Sequence, residues 1–363
     1  MAWLSELKRT LQKLGEPEAE RPDRWPVTGL TALYGVQSPS TLASVRDISF
    51  SGVFLEASEP LSIGERVHLT VRMAGPPELS AEMEFTTQAE VVRRVESGLG
   101  LKFVLPSGLD PAAWEVLLHS IVAFPSPNQA VEAFRTLRTV LFLYRLCEEG
   151  AKETFQLMGG QFDQDRTRTL FKIARDAEKL LAADPDFNRM RAHPHLVASL
   201  LRDGSWASDE LVTRLWVGLF ISSCTTGQPD DSNQILVDLL VHVTPCQARI
   251  YTHACERALS GASASGDIAP IVLGPEEIVK LTGITDLSRN ATDLAYLFNL
   301  GLIQKLFDFT SYRDVDTFDI TPSRLGIELY KHCQGQRGAI DPQFVTASRE
   351  RLAVFFPSGL PIP

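Results

Sequence analysis

The hexapeptide DISFSG, residues 47–52, puts a carboxylate at Asp47, a hydroxyl at Ser49 and a bare backbone at Gly52 into a run that otherwise reads as a strand. A carboxylate accepts hydrogen bonds, a hydroxyl both donates and accepts, and a glycine lets a second backbone or a ligand approach closely. Asp47, Ser49, Ser51 and Gly52 all favour turns over ladders. Two readings follow. Asp-x-Ser-x-x-Gly forms an Asx turn entering a strand, or it forms a ligand-binding lip at the edge of a barrel.

Other chemistry-bearing residues lead to duller readings. His242, Cys246, His253 and Cys255, in VHVTPCQARIYTHACE, are soft-metal ligand types without a CxxC pair, and Pro245 would bend the helix that carries them. Buried cysteines and histidines on helical faces account for them better, so no metal site is expected. His193 and His195 flank Pro194, which suits a helix-start turn, and no carboxylate stands near them in sequence. LMGGQFDQDR has paired glycines but no GK[ST], and reads as a helix end with a polar loop. No nucleophile elbow, HExxH or glycine-rich dinucleotide fingerprint occurs. The expectation is therefore a protein that is not an enzyme, with no catalytic residue and no cofactor.

The elements that must position Asp47 change character along the chain. With 363 residues, 44% of them hydrophobic and 22% charged, there is material for two or three packed domains. Residues 3–14 place Trp3, Leu4, Leu7, Leu11 and Leu14 on one helical stripe, suited to docking on its own chain, on a partner or on a membrane surface. GEPEAERPDRWP breaks that helix as a linker. From Val27 to about Leu105, six β-rich runs are separated by turn residues, with Gly64, Gly98 and Gly100 where hairpins turn tightly. Their spacing predicts a small antiparallel barrel or sandwich. DPAAWEVLLHSIVAF, residues 110–124, predicts one closing helix, and from Ala130 onward the pattern is almost wholly helical.

The surroundings of the hexapeptide carry a resemblance. DISFSG fits (Asp/Asn)-x-Ser-x-x-Gly. GVFLEASEPLSIGERVHLTV follows as strand, polar loop, glycine turn and strand, and AEVVRRVESGLGLKFV as a final hairpin. Residues 20–124 thus resemble a PilZ domain, the bacterial receptor module for cyclic di-GMP. The resemblance implies a ligand site built from Asp47, Ser49 and Gly52 together with an Arg-x-x-x-Arg pair ahead of the first strand. In EAERPDRWPV, Arg24 sits where the second arginine belongs, but Glu20 stands at the first position and Arg21 is displaced by one residue. Cyclic di-GMP has two phosphates and two guanines. A guanidinium can pair bidentately with either or stack on a base, and Asp47 and Ser49 can bond guanine edges. Each lost charge-assisted bond costs roughly 1.5–3 kcal/mol. Arg21 could compensate. Arg46 is less suited, because strand alternation aims it and Asp47 at opposite faces. A PilZ fold that binds no nucleotide and serves as a protein-interaction adaptor is the other outcome the family implies.

The expected class is α+β: residues 1–20 an amphipathic helix and linker, 21–124 a PilZ-like antiparallel barrel, 125–262 a helical domain, and 263–363 a winged-helix-like unit. In that last unit two helices, a hairpin around Ser311–Asp316 and a further helix follow in order. LAYLFNLGLI and ITPSRLGIELYKHC loosely resemble an uncharacterised Abi-alpha-like helical family. Residues 275–333 carry six basic and nine acidic residues, net -3, in a chain of net -10. This balance argues against nucleic acid as a partner and leaves a DNA-binding regulator as a lesser alternative. No apolar run reaches the roughly 18–20 residues of a membrane span. MAWLSELKRTLQKLG lacks the apolar segment of a secretory leader, and five cysteines fit a reducing cytoplasm. The reading is a cytoplasmic regulatory or adaptor protein with a protein partner, whose ligand residues for cyclic di-GMP are Arg21, Arg24, Asp47, Ser49 and Gly52.

Overall fold

The computed structural model describes residues 25–26, 29–57, 61–74, 83–106, 109, 111–122, 127–148, 163–261, 268–304 and 317–338. The stripe of residues 3–14, Arg21 and Arg24, the glycines of LMGGQFDQDR and the turn Ser311–Asp316 lie outside these residues. The chain divides into two compact units, Met1–Thr167 and Arg168–Pro363.

In the first unit the six expected strands are present, preceded by a two-residue strand, β1 (Trp25–Pro26). They are β2 (Leu30–Gly35), β3 (Thr41–Ser49), β4 (Gly52–Glu56), β5 (Arg66–Met73), β6 (Glu84–Val95) and β7 (Gly98–Val104). The sheet order is β1-β3-β2-β5-β6-β7-β4, and β3 also pairs with β4, so β2 to β7 close into a six-stranded antiparallel barrel. Alternation supplies the core: Ala32, Tyr34, Ile48, Leu55, Leu69, Val71, Phe85 and Val91 are buried from successive strands. Two bulges interrupt that alternation, between Val45 and Asp47 on β3 and between Val91 and Arg93 on β6. Each adds one unpaired residue and re-aims its neighbours.

Helix α1 (Pro111–Val122) starts with proline in its first turn, where the missing N–H costs nothing. Its apolar stripe, Trp114, Leu117, Leu118 and Ile121, is buried. Trp114 is fully buried and meets Phe85 and Phe103 edge-on, with centroids 6.1 and 5.4 Å apart. Its indole Nε1–H donates to the carbonyl of Phe50 at 2.7 Å, which pins α1 to the β3–β4 turn. Helix α2 (Pro127–Cys147) packs on α1 and β6, with Phe134 beside Phe85.

The second unit is helical: α3 (Gln164–Leu181), α4 (Pro194–Gly204), α5 (Glu210–Ser222), α6 (Gln234–Leu240), α7 (Pro245–Ser260), α8 (Pro275–Thr282), α9 (Leu287–Asn299) and α10 (Arg324–Cys333). The sequence reads residues 233–259 as one helix bent at Pro245, whereas the structure has two. Pro245 occupies the first turn of α7, Thr244 caps it, and Gln247 completes the capping box by accepting from the Thr244 N–H. The proline starts a helix because its ring would clash with the turn before it in an unbroken one.

Strand β8 (Val272–Leu273) precedes α8 and pairs with β9 (Phe318–Asp319). Beyond β9, Ile303 bridges Pro322, and the Gln304 N–H donates to Thr321 O at 2.9 Å. The segment from β9 to Pro322 therefore pairs with β8 and with Ile303, while the expected hairpin around Ser311–Asp316 lies outside the described residues. Close backbone contact ties the unit together. A Cβ on Gly218 of α5 would overlap the Cys333 carbonyl of α10, and the buried Tyr251 hydroxyl donates to Gly326 O at 2.5 Å.

Two outcomes follow from these contacts. Trp114→Phe keeps a ring in place but removes the indole donor from the half-buried Phe50 carbonyl. It is expected to lower barrel stability by about 1–3 kcal/mol and to speed hydrogen exchange across residues 50–53. Gly218→Ala forces α5 and α10 apart and is expected to cost about 1–3 kcal/mol or more in urea unfolding of the helical unit.

Candidate ligand-binding groove

An open groove of about 340 Å³ runs from the β3–β4 turn across the outer face of β4, β7 and β6, and Asp47, Ser49 and Gly52 all line it. The site is thus on the flank of the barrel rather than in its mouth. Register explains its shape. Asp47 is paired with Phe54, Phe54 with Gly100, and Gly100 with Arg93, so one rung crosses four strands. With no side chain at Gly100 the middle of that rung is low. Asp47 stands at one end and Arg93 at the other. Lys102 follows on the same side of β7, opposite Gly52.

The three motif residues on the groove differ in what they do. Asp47 presents its carboxylate, with its side chain 17% exposed. Ser49 is 4% exposed; its Oγ lies 3.2 Å from Ser51 Oγ and donates to Gly52 O at 3.3 Å, so its hydroxyl holds the two-residue turn. Gly52 has a backbone reason of its own: a Cβ there would overlap the Leu101 carbonyl of β7. The closely approaching chain is β7.

Arg46 departs from expectation. Simple alternation sends it to the face opposite Asp47. The bulge makes it the extra residue of β3, and its Nε donates to Asp47 Oδ2 at 3.1 Å. Its guanidinium carbon lies 3.7 Å from the centroid of the Phe54 ring, and Phe54 is 2% exposed although it sits on the outer face. Sequence reasoning also passed over Arg93 and Lys102. The signal for Arg93 was the doublet Arg93-Arg94 ahead of a Gly-x-Gly turn, where regular alternation fails.

The arm ahead of the barrel reaches this corner. Trp25 pairs with Ile48 and Pro26 with Asp47, while the Trp25 ring sits edge-on to His119 of α1, with centroids 5.3 Å apart. Arg24 directly precedes Trp25 in the chain.

The histidines and cysteines singled out in the sequence lie in the second unit. Cys246 lies at the start of α7, where burial and then the neighbouring Asp293 push its thiol up to about 12. Burial likewise raises Cys255 and Cys333, the reverse of what a nucleophile needs. Burial lowers His242. His193 and His195 stack 5.7 Å apart at the entry to α4. Among the described residues no three His, Cys, Asp or Glu side chains gather as a metal site, and no helix is long and apolar enough to cross a membrane.

Residues 23–118 match the PilZ domain family model. The match covers the arm, all six barrel strands and most of α1. No curated protein matches the chain. The match supports, for residues 23–118, a regulatory or adaptor family of the cyclic di-GMP-binding type, and PilZ domains are in general binding or adaptor modules without catalysis. The residues of the second unit lie beyond the match.

Within the PilZ region, stability and recognition should separate. Gly52→Ala meets the Leu101 carbonyl and is expected to lower the melting midpoint, at a cost of about 1–3 kcal/mol. Asp47→Ala removes a surface pair and should cost under about 1 kcal/mol. Thermal unfolding of both variants checks the contrast.

Proposed function

We propose that the groove is a receptor site for cyclic di-GMP and that the chain is a regulatory protein in which the PilZ region is the sensor and the helical unit the output. The observation that carries this reading is the pairing of Trp25–Pro26 with Ile48–Asp47. It ties to the motif carboxylate the same arm whose preceding residues are Arg21 and Arg24, so cations and carboxylate can serve one ligand. Asp47 suits the N1–H and N2–H donors of guanine, arginine suits phosphate and the O6/N7 edge, and the low middle of the rung leaves room for a flat base. Glu20, where the family carries an arginine, favours the adaptor in which the same corner docks a protein instead.

The helical unit is not read as a DNA-binding part. Arg289 is the one basic residue of α9, the second helix of the pair, and DNA binding draws its strength from phosphate neutralisation.

Calorimetry of the full chain with cyclic di-GMP decides between receptor and adaptor. Binding is expected, and Arg24→Ala should weaken it by about 10- to 100-fold, the worth of one charge-assisted contact. No heat at about 100 μM ligand, a concentration well above the dissociation constant of a useful sensor, would remove the receptor and leave the adaptor.

A further inference from the structure

We propose that Arg46 is a specificity-determining residue of the groove, supplying the bidentate cation that the Glu20 position lacks. The inference rests on the receptor reading and adds to it a residue outside the family's motif.

The bulge between Val45 and Asp47 is the first support. In a regular ladder Arg46 would point away from the carboxylate; as the extra residue it shares a side with Asp47. Its orientation is the second. The guanidinium is held at its face by the Phe54 ring, 3.7 Å away, and at Nε by Asp47, 3.1 Å away. Phe54 and Asp47 both line the groove. An arginine fixed at two points has already lost the rotamer freedom that binding would otherwise cost. Its two Nη groups have no partner among the described residues, and its side chain is 46% exposed. Two N–H donors in a plane match two phosphate oxygens or the O6/N7 edge of a guanine.

The far wall sets the ligand class. Arg93 and Lys102 line the far wall with no ion-pair partner among the described residues, and Arg46 stands beside the near wall on Asp47 and Phe54. The walls are three strand spacings apart along the rung, at most roughly 14 Å before the side chains reach inward. One phosphate cannot touch both walls. A dinucleotide with two bases and two phosphates can, and the Arg46–Asp47 pair offers a purine with guanine's edge both an acceptor and donors.

The test uses the full chain and calorimetry with cyclic di-GMP, comparing wild type with Arg46→Met and Arg46→Lys. Methionine keeps an apolar cover on Phe54 and removes the fork; lysine keeps the charge and removes the plane. Both variants should melt near the wild type. Arg46→Met is expected to bind about 10- to 100-fold more weakly, and Arg46→Lys to recover only part of that loss. GMP should bind much more weakly than the dinucleotide. Wild-type binding unchanged in both variants overturns the role of Arg46 and leaves the receptor standing. Absence of wild-type binding overturns the receptor and this proposal together. If Arg46→Met fails to fold, Arg46→Lys at wild-type affinity still overturns the bidentate role.

Discussion

Closing six short strands into a barrel forces one strand to change partners along its length, and β3 is that strand. Its first half, Thr41 to Ser44, pairs with β2, and its second half, from Ser44 onward, pairs with β4 on the other edge. Strands in a small barrel must tilt and stagger to close. The bulge at Arg46 falls where the partner changes, and the open edge of the second half is taken by Trp25 and Pro26. The docked arm, the re-aimed arginine and the half-buried motif carboxylate are thus three results of one closure. The Trp114 hydrogen bond to Phe50 then fixes the turn at which this half of β3 ends.

The motif residues serve the scaffold before they serve any ligand. Ser49 bonds within its own turn, and Gly52 makes room for β7. Either would be needed by a barrel that binds nothing, so the signature identifies the fold more firmly than the ligand. The proposed recognition draws on side chains outside the signature. Arg46, Arg93 and Lys102 stand where two bulges and a strand without a side chain at Gly100 leave the outer face open.

The six barrel strands were legible because each is an alternating run ended by turn residues, and α1 because proline and an apolar stripe announce it. The two-residue strand Trp25–Pro26 was not, since it contains a proline and is too short to show a period. Arg46 was misjudged for the same reason that bulges are hard to read: the rule used to aim it holds only where the ladder is regular. Asp47, Ser49 and Gly52 were named through the resemblance to the PilZ signature, while the second wall of the groove could not be, because register between β6 and β7 decides it. Pro245 was seen as a bend because its capping box lies in the residues around it, Thr244 and Gln247, rather than in the apolar stripe. The β8–β9 pair joins segments on either side of two helices, a separation no local pattern records.

Charge ties the groove to the rest of the chain. A net charge of -10 repels a polyanion, which must cover far more surface than the groove provides. A small dianion responds mainly to the charges closest to it, and the lining itself holds Arg93 and Lys102 against Asp47. On the proposed receptor reading, a compact ligand therefore suits the groove better than a polyanion does.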